Sequence, residues 1–193
     1  MNWGSLELFD RQTRTDAGLL PSPEKNCSDT VHILIVGLGN ILLKDEGVGV
    51  HVAQLMQEED LPHDVEVIDG GTAGLDVLLS QQPPYKLVVI DAIRAGNKPG
   101  TIYTGRFKLT ELDRLADVFS TTDLSKISLH QVGLLDALKA AEKLGRIPDQ
   151  ITVIGVEPAE MSLGLELTEP VRQSVPRVAK KVLKEIEDAI YRE

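Results

Sequence analysis

Two carboxylates and one histidine occupy positions from which they could bind a single metal ion. Glu46 follows one strand-like apolar run, Asp91 ends a second, and His130 lies at the start of an amphipathic helix. In a parallel sheet, ligands bind at the carboxyl ends of the strands, near a switch in strand order. Carboxylate oxygens and a histidine nitrogen suit a borderline divalent ion such as zinc or nickel. The residue types and their positions therefore predict a metal-binding site.

Each of these residues also has a structural interpretation. Asp45 can be the N-cap of the following helix, with Glu46 as a first-turn acid that the helix dipole favours. Asp91 can cap the turn that contains Gly96. A histidine in a first helical turn, as His130 is, stays neutral because the dipole disfavours imidazolium, but it can equally be exposed or satisfied. The combination of the three residues is what favours a metal site.

Composition and charge describe one ordinary globular domain and argue against several kinds of partner. The chain has 193 residues, 42% of them hydrophobic and 26% charged, and a formal net charge of −10. This charge argues against a nucleic acid partner, because phosphates would be repelled. Cys27 is the only cysteine, so neither an internal disulfide nor a cysteine-rich zinc site is expected. Without a signal-peptide pattern or a run near the roughly 20 apolar residues of a membrane span, we expect a cytoplasmic monomer with no membrane partner.

The chain divides into two segments of different character. Residues 1–30 show no sustained period and contain the turn residues Pro21 and Pro23, which predicts a flexible N-terminal arm. Residues 31–193 alternate strand-like and helix-like patterns and are predicted to form a single domain. Such alternation predicts a three-layer α/β fold, with a mostly parallel twisted sheet of about five strands and helices on both faces. The strands are predicted at residues 32–39, 64–71, 87–90, 101–107 and 151–158, and the helices at 47–59, 75–79, 128–145 and 170–191.

The last predicted helix contains a proline and a regular apolar face. Pro176 is expected to kink or split it, because proline interrupts helical hydrogen bonding. Helical spacing predicts that one set of apolar residues faces inward. These residues are Val178, Val182, Ile186 and Ile190.

The glycine-rich turn after the first strand does not match a nucleotide-binding motif. Gly37 and Gly39 correspond to two glycines of a dinucleotide fingerprint, but Leu42 occupies the third position and no Walker lysine follows. The glycines are instead predicted to let the backbone turn tightly over a site, with Asn40 fixing the loop through local hydrogen bonds. Asp69 ends the second predicted strand and is expected to flank the site as a further acid.

An ordered set of motifs resembles the hydrogenase maturation endopeptidases, the proteases that trim the carboxyl terminus of the large subunit of nickel-iron hydrogenases. The resemblance covers residues 31–190, and in that family the residues that match Glu46, Asp91 and His130 are held to contact the metal. It therefore implies a hydrolase with a peptidase domain at residues 31–193. The motifs are GLGNILLKDEGVG, DGGTAGLDVLL, VVIDAIRAG, SLHQVGLLDAL and IGVEPAEM.

The resemblance also implies a particular chemistry. Nickel belongs to the large-subunit precursor, so the protein has no permanently bound cofactor, although other divalent ions can occupy the site in vitro. Glu46, Asp91 and His130 would engage the inserted nickel and place the scissile peptide, so that cleavage is a checkpoint on nickel insertion. Water would hydrolyse the peptide with a carboxylate as general base, as in an aspartic-type endopeptidase. The base is Asp91 or Glu46, and the sequence does not choose between them.

Two other functions use the same three residues. A non-catalytic nickel-binding chaperone would transfer nickel and leave the precursor uncut. A hydrolase with a resident zinc would hold an attacking water in the fourth coordination position and would be purified with stoichiometric metal.

Overall fold

A five-stranded sheet forms the centre of the protein. The computed structural model describes residues 32–72, 84–108, 138–145 and 148–191. The strand order is β2-β1-β3-β5-β4, with β4 antiparallel to β5 and the other neighbours parallel. The strands are β1 (Ile33–Leu38), β2 (Val65–Gly71), β3 (Lys86–Ala92), β4 (Ile102–Lys108) and β5 (Gln150–Val156). All five lie where the sequence predicts strands.

Helices pack against the sheet. Pro176 lies in the first turn of the last helix, where proline is tolerated because its missing N–H has no helical partner to lose. A separate short helix precedes it, so the predicted split is confirmed. The prediction that Ile190 faces inward is wrong, since this residue is 37% exposed. The bounds are Lys44–Gly47 for a 3-10 helix, Val48–Gln57 for α1, Glu169–Arg172 for α2 and Val175–Ile190 for α3, and residues 138–143 are also helical.

The sheet has a hydrophobic core on each face, because its central strands are buried on both. In β1, Ile33 and Ile35 pack in a cluster with residues of α1 and α3, whereas Leu34 and Val36 pack in a cluster with Leu138. Successive side chains of a strand point to opposite faces, which produces this alternation. Burial of each such aliphatic side chain stabilises the fold by about 1.5–3 kcal/mol. The two cores make three layers, and the predicted fold class is confirmed.

The strand order has a switch point at one edge of the sheet. β1 pairs with β2 on one side and with β3 on the other, so the carboxyl ends of β1 and β3 lie at this switch point. Ligands of open α/β sheets bind at such a point. Glu46 follows β1 and Asp91 lies near the end of β3, so both belong to this edge.

Several predictions concern residues outside the described ranges. They include the arm at residues 1–30, the helix at residues 75–79 and the amino-terminal part of the helix that carries His130. These stay predictions. Within the described residues, no helix combines the length and apolar character needed to cross a membrane.

Candidate active site

The turn between β1 and α1 places Glu46 at the carboxyl edge of the sheet. Gly39 has a φ of +137°, and a Cβ at this position would overlap the carbonyl oxygen of Glu46, so only glycine allows this close approach. Asn40 Oδ1 accepts a hydrogen bond from the Leu42 N–H at 3.0 Å, as the sequence predicts for the loop. Glu46 then lies in the 3-10 helix that leads into α1.

Asp45 is a buried structural carboxylate and not the N-cap of α1. Its Oδ2 accepts hydrogen bonds from the N–H groups of Ala159 and Glu160 at 2.8 and 2.9 Å. The Thr168 N–H donates to Oδ1 at 2.7 Å, and the Thr168 hydroxyl donates to Oδ2 at 2.8 Å. The N-cap residue is Gly47, and no side chain caps the helix. Asp45 therefore ties the turn that carries Glu46 to the loop after β5.

Asp91 is a buried carboxylate with few hydrogen-bond partners. It is 2% exposed, and its Oδ1 accepts a hydrogen bond from the Ala92 N–H at 2.8 Å. Its buried Oδ2 has no hydrogen-bond partner among the described residues. Burial raises the pKa of Asp91 to about 7, a backbone hydrogen bond from Ala92 opposes this, and the negative charge of Glu46 adds to it. A buried, unsatisfied acid with a perturbed pKa is typical of a functional site.

The structure brings Glu46 and Asp91 into one electrostatic environment. Glu46 is half-buried, its Oε2 is buried, and its charge acts on the titration of Asp91. His130 lies outside the described residues, so its place in the triad stays a prediction. Across residues 32–72, 84–108, 138–145 and 148–191, no group of three histidine, cysteine or acidic side chains is arranged to hold a metal ion.

Glu157 organises the loop that follows Asp91, a role that the sequence analysis missed. It is 4% exposed and accepts hydrogen bonds from the N–H groups of Ala95 and Gly96 at 2.9 and 3.1 Å, and from the Tyr103 hydroxyl. Burial alone would raise the pKa of Glu157, but these hydrogen bonds lower it overall. Glu157, and not Asp91, therefore caps the turn at Gly96. The sequence does contain a signal for this role, because Glu157 directly follows an apolar run, as Asp91 does.

A cleft of about 320 Å³ opens beside this edge. Asp69 lies on its wall, is exposed, and accepts a hydrogen bond from the Gly71 N–H at 3.0 Å. That Asp69 flanks the site stays a prediction, since neither Glu46 nor Asp91 lines this cleft. The cleft is lined by Gly39, Asn40, Ile41, Leu42, Val50, Asp69, Gly71 and Thr72.

The sequence matches a family model and well-described relatives over most of its length. The model of the hydrogenase maturation proteases matches residues 50–185, a range that includes Asp91 and His130 and begins after Glu46. This chain belongs to the hydrogenase maturation protease family. The hydrogenase expression/formation protein HupD of Rhizobium leguminosarum bv. viciae is 38% identical over 146 residues, which are 75% of this chain and 68% of that protein. The hydrogenase 2 maturation protease of Escherichia coli K12 is 36% identical over 155 residues, which are 79% of this chain and 89% of that protein.

A solved structure supports the same assignment at the level of the fold. The hydrogenase maturating endopeptidase HybD from E. coli superposes with a TM-score of 0.72 at 33% identity, covering 82% of this chain and 93% of that one. As a member of this family, the protein is a peptidase and therefore a hydrolase, as the sequence predicts. The family acts in carboxyl-terminal processing of the hydrogenase large subunit. The predicted family, fold and enzyme class are confirmed.

Proposed function

We propose that this maturation protease removes the carboxyl-terminal extension of the nickel-loaded large subunit of a nickel-iron hydrogenase and recognises the inserted nickel through Glu46, Asp91 and His130. Nickel belongs to the substrate in this proposal, and the protein keeps no metal of its own. The observation that carries it is the Asp91 Oδ2, buried beside Glu46 without a hydrogen-bond partner among the described residues. A buried acceptor of this kind is stabilised when a cation or a donor approaches it.

The same two carboxylates supply a base for hydrolysis. A water molecule attacks the carbonyl carbon of the scissile peptide, a carboxylate takes its proton, and the proton passes to the leaving amine as the carbon–nitrogen bond breaks. Burial raises the pKa of Asp91 to about 7 in the metal-free protein, and a nickel ion beside it would favour the ionised form, which is the form that accepts a proton. Glu46 is the other candidate, since its buried Oε2 belongs to the same edge.

Cleavage of the host's own large-subunit precursor, loaded with nickel or left empty, tests this proposal by intact mass. We expect a carboxyl-terminal loss only in the nickel-loaded sample. Asp91→Ala and His130→Ala should each reduce the cleavage rate at least about 100-fold, the lower range for removal of a general base or positioning group. Asp64→Ala is the control, because Asp64 precedes β2 at the opposite edge of the sheet.

Other outcomes identify the alternative functions. Normal processing by both the Asp91 and the His130 variants would disprove the assignment of the triad. Nickel transfer to a precursor that stays intact would indicate a chaperone. Stoichiometric metal in the purified protein, with activity lost when it is removed, would indicate a hydrolase with resident zinc.

A further inference from the structure

Four exposed apolar side chains lie on two loops at the carboxyl edge of the sheet. Ile41 and Leu42 follow β1 and are 42% and 55% exposed, whereas Leu163 and Leu165 follow β5 and are 83% and 65% exposed. Single exposed apolar residues are ordinary on protein surfaces, but several of them on adjacent loops indicate a contact surface. We call these four residues the apolar rim.

Hydrogen bonds hold the two loops of the apolar rim together. The Gly164 N–H donates to the Leu42 carbonyl and the Lys44 N–H donates to the Gly164 carbonyl, both at 2.9 Å. Leu43 and Gly164 also form an isolated parallel bridge. The Asp45 carboxylate adds its bonds to both ends of the same loop. Because the surface is ordered before binding, it loses less conformational entropy than a mobile loop would.

The apolar rim is continuous with the proposed cleavage site. Ile41 and Leu42 line the cleft that Asp69 also lines, and Glu46 follows in the same turn. A folded substrate that brings its metal to Glu46 would therefore approach these side chains. Leu163 and Leu165 do not line the cleft, so a tail within it would leave them exposed to another part of the substrate.

Charge argues against a second copy of this chain as the occupant of the apolar rim. With a formal net charge of −10, two copies repel each other. We propose that the apolar rim docks the folded body of the large-subunit precursor through an apolar surface beside its metal site, while the extension lies in the cleft. This inference rests on the proposed function and adds the surface that selects the partner.

The double variant Leu163→Ser/Leu165→Ser tests the docking surface. The rate of cleavage of nickel-loaded precursor is measured by intact mass against precursor concentration. We expect the half-saturating concentration to rise about tenfold, the effect of losing modest apolar contacts, while the maximal rate stays within about twofold. Leu144→Ser is the matched control, because Leu144 is 63% exposed and lies in the turn that leads to the amino end of β5. Its half-saturating concentration should equal that of the wild type.

Several results would overturn the docking proposal. One is an unchanged half-saturating concentration in the double variant, and another is a reduced maximal rate without a change in saturation. An equal loss of affinity for the free extension peptide would assign the apolar rim to the tail. A wild-type dimer that the double variant converts to a monomer in sedimentation would assign it to a second copy. The affinity for uncut precursor, measured by surface binding, reports on docking even if the wild type cleaves nothing. Failure of the proposed cleavage function can therefore be distinguished from failure of the docking proposal.

Discussion

Strand β3 has a buried ionisable side chain near each end, and the two ends accommodate it differently. At the amino end, Lys86 Nζ donates to Glu185 Oε2 at 2.6 Å and to the Glu185 carbonyl at 3.0 Å. Arg106 and the Thr152 hydroxyl also donate to the Glu185 carboxylate. At the carboxyl end, the buried Asp91 has one oxygen that no described residue satisfies. The first end has the complete pairing expected of a structural site, and the second has the incomplete pairing expected of a reactive one.

The pKa values of the two carboxylates move in opposite directions for this reason. Burial would raise the pKa of Glu185, but hydrogen bonds from Arg106 and Lys86 lower it overall. Burial also dominates at Asp91, where a single backbone hydrogen bond opposes it and the pKa rises to about 7. Asp91 lies deeper and has one hydrogen bond to oppose burial, so its pKa rises, whereas the several partners of Glu185 outweigh its burial.

Glu185→Ala should produce the largest loss of stability. It leaves the Lys86 ammonium buried at 2% exposure without its carboxylate, and breaking a buried ion pair from one side costs about 3–5 kcal/mol. Urea unfolding at pH 7 measures the change in the free energy of unfolding. Glu187→Ala is the control, since Glu187 lies on the exposed face of the same helix and should cost less than about 0.5 kcal/mol. Equal effects of the two substitutions would contradict a structural role for the pair.

Local pattern predicted the strands and singled out the acid at the end of β3, but it did not predict the buried partners. The apolar runs fix β1, β3 and β5, and Asp91 was identified because a carboxylate that ends such a run needs a partner. The Lys86–Glu185 pair joins residues 99 positions apart. Helical spacing places Glu185 beside the inward-facing Val182, yet nothing local names Lys86 as its partner.

The role of Asp45 was missed for the same physical reason. The sequence predicted an N-cap, which is a local interaction, whereas the N–H groups that satisfy Asp45 come from a loop more than a hundred residues later. Capping by Glu157 likewise depends on β5 lying beside β3, which only the assembled sheet shows.

Asp45→Asn should produce the second largest loss of stability. It tests whether the carboxyl edge of the sheet, which carries Glu46, depends on the hydrogen-bonded carboxylate of Asp45. The amide removes the charge and places N–H groups opposite N–H donors, and loss of a charge-assisted hydrogen bond costs about 1.5–3 kcal/mol. Cleavage should also slow, because the turn that carries Glu46 loses its attachment to the loop after β5. Thr168→Val is the control: it removes only the hydroxyl donor to Asp45 Oδ2 and should cost about 1 kcal/mol. Unchanged unfolding of the Asp45 variant would refute this network.

Asp91→Asn should have the opposite effect on unfolding, a gain in stability that grows with pH. The folded-state pKa of about 7 lies above the usual value for aspartate, so the acid favours the folded state at low pH and loses that contribution as the pH rises towards 7. Between pH 5 and pH 8, the stability of the variant should therefore increase relative to the wild type by about 2.6 kcal/mol, since the contribution is lost over about two pH units at about 1.4 kcal/mol per unit. Urea unfolding in the presence of a chelator gives the free energies of unfolding of the variant and the wild type at pH 5 and at pH 8. The change with pH in the gap between the two proteins does not depend on the intrinsic cost of the amide. A gain of equal size at pH 5 and pH 8 would mean that Asp91 is ionised in the folded protein at both, and that the two ends of β3 do not differ in the way argued above.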